Sequence, residues 1–470
     1  MQHRLLFLLL PLSGVLTPGV RQSAAAPVIL IRNLTADTTL RYPLALLRGE
    51  VDVPDGTEVS VVNESGPGAG REFRTRVTDK RFVVLADLAT GVNRLKISAA
   101  GGLLHLPIRY QPQTNPYYVR LVYYTEQAGD TAYQSERPND PQNYAARLET
   151  SARLLQTFTA ESMNDQGLGR KTFNLELDGS GKPVVHVVRG SQPTAYYHAK
   201  DGGTLWSEIY GDLNRRMPDA RAKNLVIMAF TRFDSDTKVA KAHTALGGGN
   251  LGLFGSAGLF AWPGTTAEIQ EAFNDTTRVD AARTHDDSNG RSTYWGLAST
   301  TLGAVIHEMG HTFGLPHSTD PMDIMTRGFD HLNRRFTVVE PPHARRPTPR
   351  SFQDTEIAQF RPISAQRLAH SHWFQLDAPR ERPEPALGAE VDLTTGKITA
   401  HARYGLRLVG INGGGDAQAN DYFPEDAPTR KEYALEELQR RAGGKALSLA
   451  LMDADGNERR LGAERFRKAP

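Results

Sequence analysis

After residue 26 the chain opens with short apolar runs broken by glycine and proline. Val28-Ile-Leu-Ile-Arg32, Glu58-Val-Ser-Val-Val62, Arg81-Phe-Val-Val-Leu85 and Leu103-Leu-His-Leu-Pro-Ile108 are such runs, with turn signals at Pro54-Asp-Gly56 and Ala100-Gly-Gly102 between them. Short β-rich segments at this spacing predict a small β-sandwich over residues 27–115. The character changes after Gln111-Pro-Gln-Thr-Asn-Pro116. Tyr118 to Tyr124 and Lys223 to Phe230 are continuous apolar runs, as buried strands require. Between them Leu148, Ala152, Leu155, Phe158, Thr159 and Ser162 fall near one helical stripe, predicting a helix from about 143 to 164 that Gly167 ends. Strands and helices therefore alternate through residues 116–377, an α/β or α+β section. Asp377 to Pro385 reads as a linker. Beyond it Glu390 to Leu393, Lys397 to Ala400, Leu406 to Ile411 and Ala446 to Met452 read as strands. A helical insert near Lys431 to Arg441 stops at Gly443-Gly444. Residues 378–470 are thus expected to be a linker plus a small β-rich domain.

Length and composition sharpen this. A chain of 470 residues is too long for one compact core. Its 55 basic and 53 acidic residues leave a net charge of +2, which provides no field for nucleic acid. With no cysteine, disulfides, thiol nucleophiles and Cys-ligated metal are excluded, and any zinc site must use histidine and carboxylate. Residues 1–26 read as an export signal: Arg4 precedes the apolar run Leu5 to Leu10, and Ser23-Ala-Ala-Ala26 offers small residues for cleavage. The run is too short for a permanent anchor, and no later stretch approaches 18 apolar residues. The expectation is a secreted, periplasmic or extracellular protein.

Two segments are candidates for chemistry. Thr300 or Ser299 is expected to cap a helix from Thr301 to Phe313, with Leu302, Val305, Ile306 and Met309 as its apolar stripe. His307 and His311 are four apart, so their rings share one face, as two ligands of one ion must. Glu308 sits beside the first ligand, where a carboxylate reaches a water without ligating the metal. Gly314 permits a sharp exit from the helix, and His317 can then return as third ligand. Three neutral imidazoles leave a fourth position open, which is the arrangement of a catalytic zinc. The glycine-dense stretch Gly247 to Trp262 has two readings: a tightly packed turn with a strand, or a cleft-lining edge that pairs with an extended peptide. His370 and His372 alternate like a metal pair, but Trp373-Phe374 beside them favours packing. His285-Asp286-Asp287 with Ser288-Asn-Gly290 reads as a polar loop lacking the ligand spacing of a dedicated calcium loop.

The string His307-Glu-Met-Gly-His-Thr-Phe-Gly-Leu-Pro-His317 matches HExxHxxGxxH, the extended motif of the metzincin metallopeptidases. The chain resembles a zinc metallopeptidase family of metzincin type shared by fungi and bacteria. Arg153 to Met163, Gly167 to Phe173, Ala245 to Gly249 with Trp262-Pro263, Arg291 to Trp295 and His370 to Phe374 carry that resemblance, which spans most of 116–377. It implies a zincin catalytic domain over 116–377, which the residue pattern flanks with small β-sandwich-like domains at 27–115 and 378–470. It also implies a methionine turn beneath the metal, matched by Asp323-Ile-Met325; Arg327 stands where some metzincins place a tyrosine ligand.

The expected activity is that of a secreted zinc metalloendopeptidase: one catalytic Zn²⁺ on His307, His311 and His317, Glu308 as general base, and Gly314 and Met325 as supports. Its partners would be peptide or protein substrates, with glycan or cell-surface contacts through the β-domains. The alternative is a non-catalytic zinc-containing protein that binds glycan or cell wall.

Overall fold

The computed structural model describes residues 26–66, 70–138, 140, 142–380, 382–383 and 386–467. The expected export signal lies outside them except for Ala26. The protein is a multidomain α+β assembly of several sheets. Among the described residues no helix is long and apolar enough to cross a membrane.

The N-terminal section contains a three-stranded sheet, Ile29–Ile31, Leu44–Val51 and Arg81–Asp87, and a five-stranded sheet built around Gly91–Ala99 and Gly102–Tyr110. Its apolar residues join one continuous core with those of the next section. The helix Tyr144–Asp165 lies at this seam, which is why it is buried almost all round rather than on one stripe. Its polar side chains are consumed in the seam: Thr157 donates to the Leu44 carbonyl at 2.7 Å, and Tyr42 donates to Glu161 at 2.7 Å.

The central sheet runs in the order Asn174–Leu175, Tyr118–Thr125, Ala222–Met228, Leu251–Gly255 and Ala245–Gly248, with Val185–Arg189 also pairing to Tyr118–Thr125. All neighbours are parallel except the last pair, which is antiparallel. Ala245–Gly248 is therefore an edge strand. One face of the sheet is covered by the helix Gly202–Arg216, through Leu205, Ile209 and Leu213. Asp201 caps that helix by accepting from the Thr204 amide. The other face carries the helix Tyr294–Thr312.

This motif helix begins earlier than expected. Its N-cap is Thr293, whose hydroxyl accepts from the Gly296 amide at 3.3 Å, and Ser299 and Thr300 are buried inside it. Ser299 spends its hydroxyl on the Asp330 carbonyl, so it has no capping role.

The C-terminal section has its own core between two sheets, Gly388–Asp392/Lys397–His401/Arg430–Ala434 and Asp416–Tyr422/Leu406–Gly413/Leu447–Asp453/Glu458–Leu461. Its helix covers only Leu435–Arg441, because Arg430–Ala434 pairs as a strand with Lys397–His401.

Candidate active site

The motif helix ends in a Schellman motif. Gly314 adopts φ +94°, its amide donates to the His311 carbonyl, and the Leu315 amide donates to the Gly310 carbonyl. This reversal turns the chain back so that His317 meets the two helical histidines. Ring centroids stand 4.9 Å apart for His307 and His311, 5.3 Å for His307 and His317, and 4.8 Å for His311 and His317. One ligand nitrogen from each lies within 4.8 Å of the others.

Two backbone carbonyls decide which nitrogens face the centre. His307 donates from Nδ1 to the Ile324 carbonyl at 2.6 Å, and His311 donates from Nδ1 to the Leu315 carbonyl at 2.8 Å. A carbonyl only accepts, so each Nδ1 carries the proton and each Nε2 presents a lone pair. Burial favours the neutral rings: it brings His307 down to about 4, against the bond to Ile324, and lowers His311 in the same way. The donor set thus fits a divalent metal: three imidazoles, two with their tautomers fixed, at a site partly open to solvent because His317 is exposed.

The support beneath the site is a tight turn. Asp323 accepts from the Met325 amide at 3.0 Å and from the Ser364 hydroxyl at 2.6 Å, and its carbonyl accepts from the Thr326 and Gly328 amides. The turn sets the Ile324 carbonyl toward His307 and buries Met325 completely. The Met325 sulfur lies so close to Gly310 that a Cβ there would meet it at 2.4 Å. The Met325 carbonyl in turn accepts from the Ser318 amide at 3.1 Å, tying the turn to the loop of His317.

Glu308 faces the edge strand. Burial raises its carboxyl to about 7, opposed by a hydrogen bond from the Gly247 amide. The strand backbone lies so near the helix that a Cβ on Gly247 would meet the Glu308 carbonyl oxygen at 2.0 Å. The glycine-dense stretch is thus closely packed against the helix, and among the described residues its strand Ala245–Gly248 leaves one edge unpaired.

The loop of His317 is also held from the C-terminal section. The Ala417 amide donates to the His317 carbonyl at 2.8 Å, Ser318 forms a parallel bridge with Ala417, and Arg460 donates to the Gly314 carbonyl at 2.8 Å. A cavity of about 500 Å³ beside His311 is lined from both sides, by Lys223 and Trp373 and by Asn457, Glu458 and Arg460. No motif announces these contacts, since most are made by backbone atoms.

His370 and His372 do not join the cluster. His370 Nε2 pairs with the Tyr422 hydroxyl at 3.1 Å and His372 Nε2 with the Asp455 carbonyl at 3.0 Å, so both pack at the interface with the C-terminal sheets.

Comparison with known proteins finds relatives of the chain. "Putative zinc metalloproteinase C607.06c" of Schizosaccharomyces pombe is 28% identical over 340 residues, 66% of this chain and 54% of that protein. "Putative zinc metalloproteinase YIL108W" of Saccharomyces cerevisiae is 30% identical over 227 residues, 41% of this chain and 32% of that protein. The chain thus spans about half the length of the first of these relatives and about a third of the second. Among solved structures, wild-type OgpA of Akkermansia muciniphila aligns with a TM-score of 0.43 and 17% identity, over 74% of this chain and 92% of that one. Catalytically inactive OgpA bound to an O-glycopeptide aligns with a TM-score of 0.42 and 16% identity over the same shares, too loose a likeness to fix the fold. The family model described as "Putative peptidase family" matches residues 28–401, and the chain belongs to that family.

Proposed function

We propose that this chain is a secreted zinc metalloendopeptidase with a metzincin-like catalytic domain. The observation that carries the reading is the convergence of His307, His311 and His317, two with Nε2 freed by backbone carbonyls, beside Glu308 and an open strand edge. Zinc is the metal, in keeping with the names of the yeast relatives and with an all-imidazole donor set.

Zinc bound by these three histidines supplies Lewis acidity for a scissile carbonyl and for the attacking water. The protein supplies the rest. Nδ1 bonds to Ile324 and Leu315 keep the rings oriented. The Glu308 carboxylate takes the proton of the water and returns it to the leaving nitrogen, while the Gly247 amide fixes the carboxylate. The free edge of Ala245–Gly248 pairs with the extended backbone of a peptide, adding a strand to the sheet.

Glu308→Gln tests the reading. It should keep zinc and fold while lowering the cleavage rate of a mixed peptide library by ~10²–10⁴-fold. A folded, zinc-loaded Gln variant that cuts as fast as wild type would refute the mechanism. Zinc binding with no cleavage by either form would favour the non-catalytic glycan-binding alternative.

A further inference from the structure

A second group of potential ligands lies apart from the first and shares no residue with it: His243, His285 and Asp287, whose ligand atoms all fall within 4.8 Å of one another. His243 stands two residues before the edge strand, after the hairpin Arg232–Asp234/Val239–Lys241. His285 and Asp287 come from the loop leading to the motif helix.

Hydrogen bonding within the protein does not account for this cluster. His243 Nε2 and Asp287 Oδ2 are 3.6 Å apart, too long for a hydrogen bond. The distance instead suits two donors on one ion, since a tetrahedral metal with bonds of about 2.0–2.2 Å holds its ligands roughly 3.3–3.6 Å apart. The other ring nitrogen, His243 Nδ1, is buried without a partner. The two imidazoles meet edge to face at 4.8 Å, so neither stacks on the other to hide its nitrogens.

The neighbouring acid shows the contrast. Asp286 is fully engaged, accepting from the Ser288 amide at 3.1 Å and the Ser292 hydroxyl at 2.6 Å. Those bonds shape the loop and leave Asp287 as the carboxylate facing His243. Ala242 adopts φ +48°, an uncommon conformation for a residue with a Cβ, and its carbonyl is held by the Thr231 hydroxyl at 2.8 Å. The backbone is thus fixed on both sides of the cluster.

We infer that His243, His285 and Asp287 form a second binding site for a divalent transition metal, separate from the catalytic one. Two imidazoles and one carboxylate suit zinc rather than calcium, which prefers an all-oxygen shell. The ion ties the entry of the edge strand to the loop before the motif helix, so it braces the strand that packs on Glu308.

Chelator-stripped full-length protein, dialysed to equilibrium against micromolar Zn²⁺ and analysed by mass spectrometry, tests the site. Wild type should hold about two zinc ions, and both His285→Ala and His311→Ala about one. Asp287→Asn, nearly isosteric and half-exposed, should weaken one of the two binding events by about tenfold or more and leave the other unchanged. Wild type with about one ion, lost in His311→Ala and kept in His285→Ala and Asp287→Asn, would overturn the site. One ion lost in His285→Ala but kept in His311→Ala would support it and count against the catalytic reading instead. Two ions in every variant would overturn both.

Discussion

Gly247→Ala would place a methyl group where the structure has no room. The added Cβ would lie 2.0 Å from the Glu308 carbonyl oxygen, 2.7 Å from its carbonyl carbon and 2.9 Å from its Cα. All three are backbone atoms of a helix, so none can swing aside. Reaching ordinary contact at 3.4 Å requires the edge strand and the helix to part by about 1.4 Å. A separation of that size removes the amide that fixes the Glu308 carboxylate and shifts the edge on which the substrate would lie. Misplacement near 1 Å can cost ~10²-fold in rate, and overpacking typically costs about 1–3 kcal/mol in stability. The expected phenotype is a folded protein with normal zinc and kcat/KM down by roughly 10²-fold. Gly248→Ala is the internal control, because its nearest neighbour would be the Trp206 ring at 3.7 Å. The assay is steady-state cleavage of one peptide by wild type and both variants, with zinc content and circular dichroism alongside. Gly247→Ala cleaving as fast as Gly248→Ala would refute the idea that close packing of strand on helix positions the base.

Glu340 is buried among Arg334, Arg346, Arg350 and His331. Burial alone would raise its carboxyl, but nearby His331, the hydrogen bond from Arg334 and the Arg334 charge bring it well below the usual range. Because the folded value lies below the unfolded one, this stabilisation is complete above about pH 4.5 and fades as pH falls. Glu340→Gln should cost about 3–5 kcal/mol at pH 7 and flatten the acid limb of the stability profile; an unchanged urea midpoint would argue against a structural role. Material recovered outside the cell should begin near residue 26, as N-terminal sequencing reads it, and a mature chain starting at Met1 would sink the export proposal.

The histidine motif was legible because its chemistry is written in side-chain spacing: i, i+4 histidines, then a glycine that alone takes φ +94° without strain. What surrounds it was less so. Leu44–Val51 gave no strand signal, since it is buried on both faces and its sequence, LALLRGEV, shows no alternation. Arg430–Ala434 is rich in helix-forming residues, and only pairing with Lys397–His401 makes it a strand. The helix Gly202–Arg216 was readable from the Asp201 cap and the Leu205, Ile209, Leu213 stripe, but two leading glycines obscured it. The early start of the motif helix depends on Thr293, whose capping role appears only once Ser299 and Thr300 are seen to be buried. His243 and the His285–Asp287 pair are distant in sequence, and no local pattern could join them.

The hold of the C-terminal section on the loop of His317 bears on the order in which the chain is made. Synthesis delivers His307, His311 and His317 before Ala417 and Arg460, the residues that complete the hydrogen bonding of the His317 and Gly314 carbonyls. A nascent chain therefore carries all three histidines while the loop between the second and third still lacks two of its anchors. The final geometry of the site is set only when the last strands have emerged, so folding of the C-terminal sheets times the maturation of a centre encoded more than a hundred residues upstream of its last anchor.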